Sequence, residues 1–224
     1  MSVPRVHIIR HGQALHNIER GYPHRDSPLT TAGHLATKSI DLPAIPDLII
    51  ISPMSRTIQT AMNIFSGILD TVKVQIWPDL RESHDANCNK GLSRTELAAK
   101  FPRFDFGECQ EEWDYPPHTV EGATIRAERV RRRLKELSKV YINIAIITHR
   151  GFIAFLTKGD RYDVCETRSY RFATDEEAQL ESLRKGTHVD TKEPCDFGPT
   201  LLLPIAVQTF GPTAPENETI EARP

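Results

Sequence analysis

The chain has little of what marks several common classes of protein. Its four cysteines are scattered, with no C-x-x-C pair and no spacing typical of zinc ligands. No apolar run is long enough to cross a bilayer, and the short run near the N-terminus is followed at once by charged residues. We therefore expect reduced thiols, no structural zinc, no membrane association and a cytoplasmic or nuclear location.

Net charge is also almost absent, because 28 Lys and Arg residues stand against 30 Asp and Glu residues in a chain of 224. The molecule as a whole has no field that would attract nucleic acid. Nine histidines are present, but no H-E-x-x-H sequence or other close set of His, Asp and Glu indicates a metal site. Any affinity for anions must come from a local cluster, and we expect no metal, no cofactor and no nucleic-acid partner.

What is present is an alternation of short apolar runs with helical patterns. The apolar runs, rich in Ile and Val, predict strands at residues 6–9, 48–51, 74–77 and 144–147. Apolar residues at helical spacing predict helices at residues 31–40, 56–69, 123–137 and 152–158. Strands without polar alternation are buried on both faces. The pattern therefore predicts an α/β fold, a three-layer α/β/α sandwich with a mostly parallel central sheet.

The length suits a single catalytic domain, residues 1–210, followed by a flexible tail over residues 211–224. Two polar segments, about 81–119 and 159–199, fit the alternation poorly, and we interpret them as insertions that wall or cap a site. Residues 201–210 resemble a late strand, placed at the edge of the sheet by Pro204.

The helix predicted at 123–137 is rich in arginine. Ile125, Val130 and Leu134 share one side, and arginines that include Arg126 and Arg131 cover the rest. Arginine is a good helix former and needs no partner on an outer face. We expect these arginines on the solvated side of the helix.

Three predicted strands end directly in polar, chemically capable groups. The sequences that follow them are Arg10-His11-Gly12, Ser52-Pro53-Met54-Ser55-Arg56 and Thr148-His149-Arg150-Gly151. Ligands of open parallel sheets bind outside the carboxyl ends of the strands. We therefore expect arginines and histidines from all three strands to surround one depression.

These segments also resemble a known family. RHGQALHN from Arg10, SPLTTAG from Ser27, SPMSRTIQTA from Ser52, LRE from Leu80 and THRG from Thr148 occur in the order found in the histidine phosphatase superfamily. The similarity is to the branch that contains cofactor-dependent phosphoglycerate mutase and its phosphatase relatives. It covers the chain from Arg10 to about Phe155.

The resemblance implies a role for each matching residue. His11 is the nucleophile, because a neutral imidazole attacks phosphorus and nearby arginines disfavour its protonated form. Glu82 donates the proton to the leaving oxygen, with Asp85 of the His84-Asp85 pair as a substitute. The residues implied to hold the phosphoryl group are Arg10, Arg56 and His149, with Asn17, Gln13, Arg20 and Arg150 around them.

The remaining histidines carry no such implication. We interpret His7, His16, His34, His118 and His188 as structural, because an isolated histidine near a strand or helix is usually a satisfied packing residue. Substrate specificity is expected to come from the insertions, with Lys90, Arg94, Tyr115 and Arg168 as candidates.

Three functions remain open from the sequence. The first is a metal-independent phosphatase that takes a small phosphorylated substrate and releases inorganic phosphate. The second is a phosphoglycerate-type mutase, which Ala14 and Leu15-His16 disfavour because mutases carry other residues there. The third is a weakly active phospho-ligand-binding or scaffold protein, against which the retention of both histidines and Glu82 argues.

Overall fold

The computed structural model describes residues 3–114 and 118–205. Its strands are Arg5–Arg10 (β1), Leu48–Ile51 (β2), Lys73–Ile76 (β3), Asn143–Thr148 (β4), Thr167–Phe172 (β5), Lys185–Thr187 (β6), Pro194–Asp196 (β7) and Leu202–Pro204 (β8). Its α-helices are Leu15–Ile18 (α1), Thr31–Lys38 (α2), Ser55–Ile64 (α3), Arg94–Lys100 (α4), Val120–Leu137 (α5), Arg150–Leu156 (α6), Asp175–Gln179 (α7) and Glu181–Arg184 (α8). Short 3-10 helices cover Pro78–Leu80 and Asn87–Asn89.

The central sheet has six strands in the order β3-β2-β4-β1-β5-β8. β3, β2, β4 and β1 are parallel to one another, whereas β5 and β8 are antiparallel to their neighbours. The prediction of a mostly parallel sheet is confirmed. β8 lies at an edge and contains Pro204, as the missing backbone N–H of proline requires.

Helices cover both faces of this sheet. Alternate residues of β1, β2 and β4, among them Ile8 and Ile146, pack against α5 and α6 in one apolar cluster. The residues between them, among them Ile9 and Ile147, pack against α3 and α4 in a second cluster. Both sets of strand residues are buried because each face of the sheet is covered, which explains the unbroken Ile-rich runs.

Hydroxyl side chains cap the N-termini of α2 and α5. Thr30 accepts a hydrogen bond from Gly33 N before α2, and Thr119 accepts one from Gly122 N before α5. Such caps satisfy backbone donors that the first helical turn leaves free. None of the helices in the described ranges is both long and apolar enough to span a membrane.

The segment 159–199, for which the sequence indicated an insertion, contains β5. This strand pairs with β1 through Val6 and Tyr170 and so belongs to the main sheet. The rest of the segment forms α7, α8 and the two-stranded β6–β7 hairpin. Of the late strand expected at 201–210, residues 202–204 are β8, whereas residues 206–210 and the expected tail at 211–224 lie outside the described residues.

Two arginines of α5 contradict the expectation of a solvated basic face. Arg126 is buried and donates hydrogen bonds to the backbone carbonyls of Asp79, Arg81 and Glu82. Arg131 is 1% exposed and donates to the carbonyls of Phe155 and Leu156 at the end of α6. Ile125, expected in the core, is exposed instead. Compared with the orientation that the sequence predicted, α5 is turned about its axis so that two of its guanidinium groups face the protein interior. There they donate hydrogen bonds to carbonyls that secondary structure leaves unpaired.

Arg131→Ala should lower the free energy of unfolding by about 3 kcal/mol, because it removes two charge-assisted bonds and leaves carbonyls at the end of α6 without a donor. Arg132→Ala, at the adjacent exposed position, is the matched control and should change stability by less than about 0.5 kcal/mol. Urea denaturation of the two variants measures the difference. Equal stability of both variants would show that the buried guanidinium contributes nothing.

Candidate active site

The polar groups of the site follow three parallel strands, β1, β2 and β4, whose carboxyl ends are in register. Arg10 is in register with Thr148, and Ile51 is in register with Ile147. The residues that follow β1, β2 and β4 therefore leave the sheet side by side, at its carboxyl edge. The prediction that three strand ends meet at this edge agrees with the register of the strands.

His11 is held in one tautomer. It is 2% exposed, and its Nδ1 lies 2.7 Å from the carbonyl oxygen of Gly12. A carbonyl only accepts hydrogen bonds, so Nδ1 carries the proton and Nε2 keeps its lone pair. Burial, followed by the positive charges of Arg56 and Arg10, lowers the pKa of His11 well below its usual value. The ring is therefore neutral at neutral pH, with a nucleophilic nitrogen available.

Two glycines allow the chain to fold closely behind His11. A Cβ on Gly12 would lie 2.5 Å from Thr37 Cγ2, and one on Gly33 would lie 2.1 Å from the carbonyl oxygen of Gln13. Any larger side chain would push α2 away from the turn that follows β1. This close packing explains why both motifs, RHG and SPLTTAG, contain a glycine.

His149 lies beside His11, with the two ring centroids 5.2 Å apart. It is fully buried, and Ser52 Oγ lies 2.9 Å from its Nε2. Its Nδ1 has no hydrogen-bond partner among the described residues. Burial, followed by the charge of Arg56 and the neighbouring His11, lowers the pKa of His149 well below its usual value. Ser52 thus fixes one nitrogen of this ring, and the other is buried without a partner among the described residues.

The two arginines lie in different surroundings. Arg10 is 7% exposed and donates through Nη1 to the carbonyl oxygen of Tyr162 at 2.8 Å. Burial lowers the pKa of Arg10 to about 10, so its guanidinium remains charged at neutral pH. Arg56 is fully buried and donates to Cys88 O at 3.1 Å and to Asn89 Oδ1 at 3.0 Å. Arg56 therefore supports the cavity wall from behind.

A cavity of about 580 Å³ opens over these groups. The residues that line it are Arg10, His11, His16, Asn17, Glu82, Ser83, His84, Ala86, Cys88, Asn89, Val120, Arg150, Gly151, Phe155, Arg161, His188, Asp190 and Thr191. Glu82 is held at the cavity by Ser83 N and Gly151 N, which donate to its two carboxylate oxygens at 2.7 and 3.3 Å. A carboxyl group thus faces the same space as His11.

The other residues predicted for the site divide into those that line the cavity and those that do not. Asn17 and Arg150 line the cavity. Arg56 and His149 are packed directly behind the lining residues. Gln13 accepts a hydrogen bond from Thr30 Oγ1 at 2.8 Å. The predicted residues that do not line the cavity are Gln13, Arg20, Arg56, Asp85, Lys90, Arg94, His149 and Arg168, and Tyr115 lies outside the described residues.

Two histidines interpreted as structural line the cavity instead. His16 has its ring centroid 5.9 Å from that of His11, and Asn17 Nδ2 lies 3.1 Å from its Nε2. Burial, with the charges of Arg56 and Arg10, lowers the pKa of His16 to about 3. The sequence feature that indicated a place for His16 at the cavity was its position inside RHGQALHN. His188 lies on the β6–β7 hairpin, where no motif marked it.

Stability should fall as the pH is lowered from 6.5. His11 and His149 stay neutral in the folded state, whereas the same residues bind protons below about pH 6.5 once the chain is unfolded. The unfolded state then binds more protons, and each such histidine costs about 1.4 kcal/mol per pH unit.

The histidine contribution can be isolated by comparing the native protein with His11→Asn. Urea denaturation at pH 7 and pH 5.5, in buffers free of phosphate, should show a smaller loss of stability for the variant. Parallel losses in the two proteins would mean that His11 is protonated in the folded state.

A sequence model of the histidine phosphatase superfamily (branch 1) matches residues 6–174. The chain belongs to this superfamily. It is 28% identical to a probable phosphatase of Schizosaccharomyces pombe in an alignment of 120 residues, with a coverage of 50% of this chain and 56% of that protein. The chain thus spans little more than half the length of that relative. It is 27% identical to a phosphoglycerate mutase-like protein of Arabidopsis thaliana in an alignment of 206 residues, with a coverage of 72% of this chain and 76% of that protein.

Solved structures share the fold. The α-ribazole phosphatase of Shigella flexneri superposes with a TM-score of 0.53 at 21% identity, over 76% of this chain and 91% of that one. A protein called mycobacterial hydrolase 2 gives a TM-score of 0.53 at 17% identity, over 96% of this chain and 94% of that one. These likenesses confirm the three-layer α/β/α architecture.

Proposed function

We propose that the chain is a phosphomonoester phosphatase that acts through a phosphohistidine at Nε2 of His11, without a metal ion. The observation that carries this proposal is the tautomer of His11. Its Nδ1 is bound to Gly12 O, so its unprotonated Nε2 is the nitrogen left to attack. The match to a probable phosphatase of S. pombe supports the phosphatase activity in this proposal.

The reaction proceeds in two displacements. His11 Nε2 attacks phosphorus, the bond from phosphorus to the leaving oxygen breaks, and the carboxyl group of Glu82 gives that oxygen a proton. Water then attacks the phosphohistidine, the phosphorus–nitrogen bond breaks, and the Glu82 carboxylate takes a proton from the water. Splitting the transfer in this way replaces one difficult step with two easier ones.

Positive and donor groups stabilise the phosphoryl oxygens during both steps. Arg10 lines the cavity and remains charged, with Arg150 beside it. His149, whose Nε2 lies 2.9 Å from Ser52 Oγ, packs against the ring of His11 and supports it from behind the cavity lining. Charge spreads over the equatorial oxygens in the transition state, so fixed donors at these positions accelerate the transfer.

The test is release of inorganic phosphate from a panel of small phosphomonoesters by protein stripped of metal with a chelator. We expect turnover that added Mg²⁺ or Zn²⁺ does not increase. A strict requirement for added metal would contradict the metal-free mechanism. Isomerisation of a phosphorylated sugar acid that depends on a bisphosphate and releases no phosphate would establish a mutase instead.

A further inference from the structure

The β6–β7 hairpin contributes one wall of the cavity that contains His11. Its turn brings His188, Asp190 and Thr191 to the lining, next to Phe155 of α6 and Arg161. We call these five residues the hairpin wall. A cavity of about 580 Å³ is of the size that holds a small organic molecule. It therefore has room for the leaving group as well as the phosphoryl group.

His188 has a ring N–H group that no described residue satisfies. The backbone N–H groups of Asp190 and Thr191 point at its Nδ1, at 3.2 and 3.1 Å. A backbone N–H only donates, so Nδ1 is unprotonated and the proton of the neutral ring is on Nε2. The side chain is 3% exposed, and its Nε2 has no partner in the described part of the chain. A buried N–H without an acceptor is costly, and a ligand oxygen would satisfy it.

The ring of His188 is also fixed in place. Its centroid lies 4.2 Å from that of Phe155, and the two backbone bonds hold its other edge. Burial lowers the pKa of His188, which keeps the ring neutral. The donor at Nε2 is thus preorganised by groups that belong to the protein.

The hairpin wall carries no net charge. Arg161 Nε lies 2.5 Å from Asp190 Oδ1, so its two charged residues neutralise each other. Elsewhere in the lining, Arg10 and Arg150 supply positive charge near His11. A second anionic group would therefore find no unpaired cation at the hairpin wall, and an apolar group would leave the His188 donor unsatisfied.

We propose that the hairpin wall is the subsite for the leaving group, and that it selects phosphomonoesters of polar, uncharged alcohols such as sugars. A hydroxyl or carbonyl oxygen of the alcohol accepts the hydrogen bond from His188 Nε2. This inference rests on the proposed phosphatase function for the phosphoryl end of the substrate. In this proposal, the hydrogen bond from His188 determines which class of leaving group binds.

The experiment measures binding without turnover. In the His11→Ala background, calorimetry gives the affinity for glucose 6-phosphate, phenyl phosphate and 3-phosphoglycerate, whose leaving groups are polyhydroxylated, apolar and anionic. We expect glucose 6-phosphate to bind most tightly. Adding His188→Asn should lower the affinity for glucose 6-phosphate, relative to the affinity for phenyl phosphate, by about 3- to 10-fold, which is the effect of one hydrogen bond.

Asparagine is chosen because its Oδ1 can accept from the two backbone N–H groups in place of Nδ1, while it has no donor at the position of Nε2. His24→Asn, at an exposed position outside the cavity lining, is the matched control and should leave the ratio of affinities unchanged. Thermal unfolding of His188→Asn verifies that the variant protein remains folded.

The inference is overturned if glucose 6-phosphate has no advantage, if none of the three compounds binds, or if His188→Asn weakens all three equally. Failure of the proposed function is recognised separately. The native protein would then release no phosphate and form no phosphohistidine, even where the binding preference is present.

Discussion

His11→Asn should reduce kcat/KM for any phosphomonoester by at least about 10³-fold, the scale of losing a covalent nucleophile. Asparagine fits the space of the buried imidazole, and its side-chain amide can donate to Gly12 O as Nδ1 does. It has no nitrogen lone pair available to attack phosphorus. The loss should therefore appear in kcat, with the protein still folded.

The matched control for this variant is His24→Asn, which makes the same chemical change at an exposed position outside the cavity. Its kinetics should equal those of the native protein. Steady-state rates of phosphate release measure both variants. If His11→Asn kept more than about a tenth of the native kcat/KM, another residue would be the nucleophile.

Arg10→Lys should lower kcat/KM by about 10²-fold, the scale of losing one preorganised donor to a developing charge. Arg10 Nη1 donates to Tyr162 O, which orients the planar group and leaves its other donors for the phosphoryl oxygens. A lysine ammonium keeps the charge but cannot bind the backbone carbonyl and a phosphoryl group with the same geometry.

Arg150→Lys is the comparison that separates geometry from charge. Arg150 also lines the cavity, but it is exposed and lies at the first position of α6. Its replacement should cost less than about 10-fold, because a solvated charge acts mainly by attraction. Equal losses in the two lysine variants would show that the fixation of Arg10 by Tyr162 is irrelevant to activity.

The central part of the fold could be predicted because its signals are local. Unbroken Ile-rich runs such as residues 48–51 are typical of strands that are covered on both faces, and β2 has these same bounds. Parallel strands have their carboxyl ends at the same edge of the sheet. The residues that follow β1 and β4, among them His11 and His149, therefore lie close together, next to Arg10 at the end of β1.

The outer parts of the fold depend on contacts between distant residues and gave weaker signals. β5 has a polar sequence, TRSYRF, and it is a strand because β1 on one side and β8 on the other satisfy its backbone. Arg131 looked like a surface residue because its partners, the carbonyls at the end of α6, lie 24 and 25 positions away in sequence. Periodicity within α5 cannot reveal such partners.

The site, like the fold, has parts that local sequence signals predict and parts that depend on contacts between distant residues. The sequence predicted the residues of the RHG motif as site residues, and the structure places Arg10 and His11 in the cavity lining, at positions that follow from β1. His188 could not be identified, because its place at the cavity depends on how a hairpin far along the chain folds back onto α6. The location of Arg56 behind Cys88 and Asn89, where it does not line the cavity, also required the three-dimensional packing.

The most direct measurement is the capture of the covalent intermediate. Native protein is mixed with a phosphomonoester labelled in its phosphoryl group and stopped in alkali, where a phosphohistidine survives. We predict one labelled site, at His11, that is lost on exposure to acid and is absent from His11→Asn. Label on any other residue, or an adduct that persists in His11→Asn, would contradict the assignment of His11 as the nucleophile.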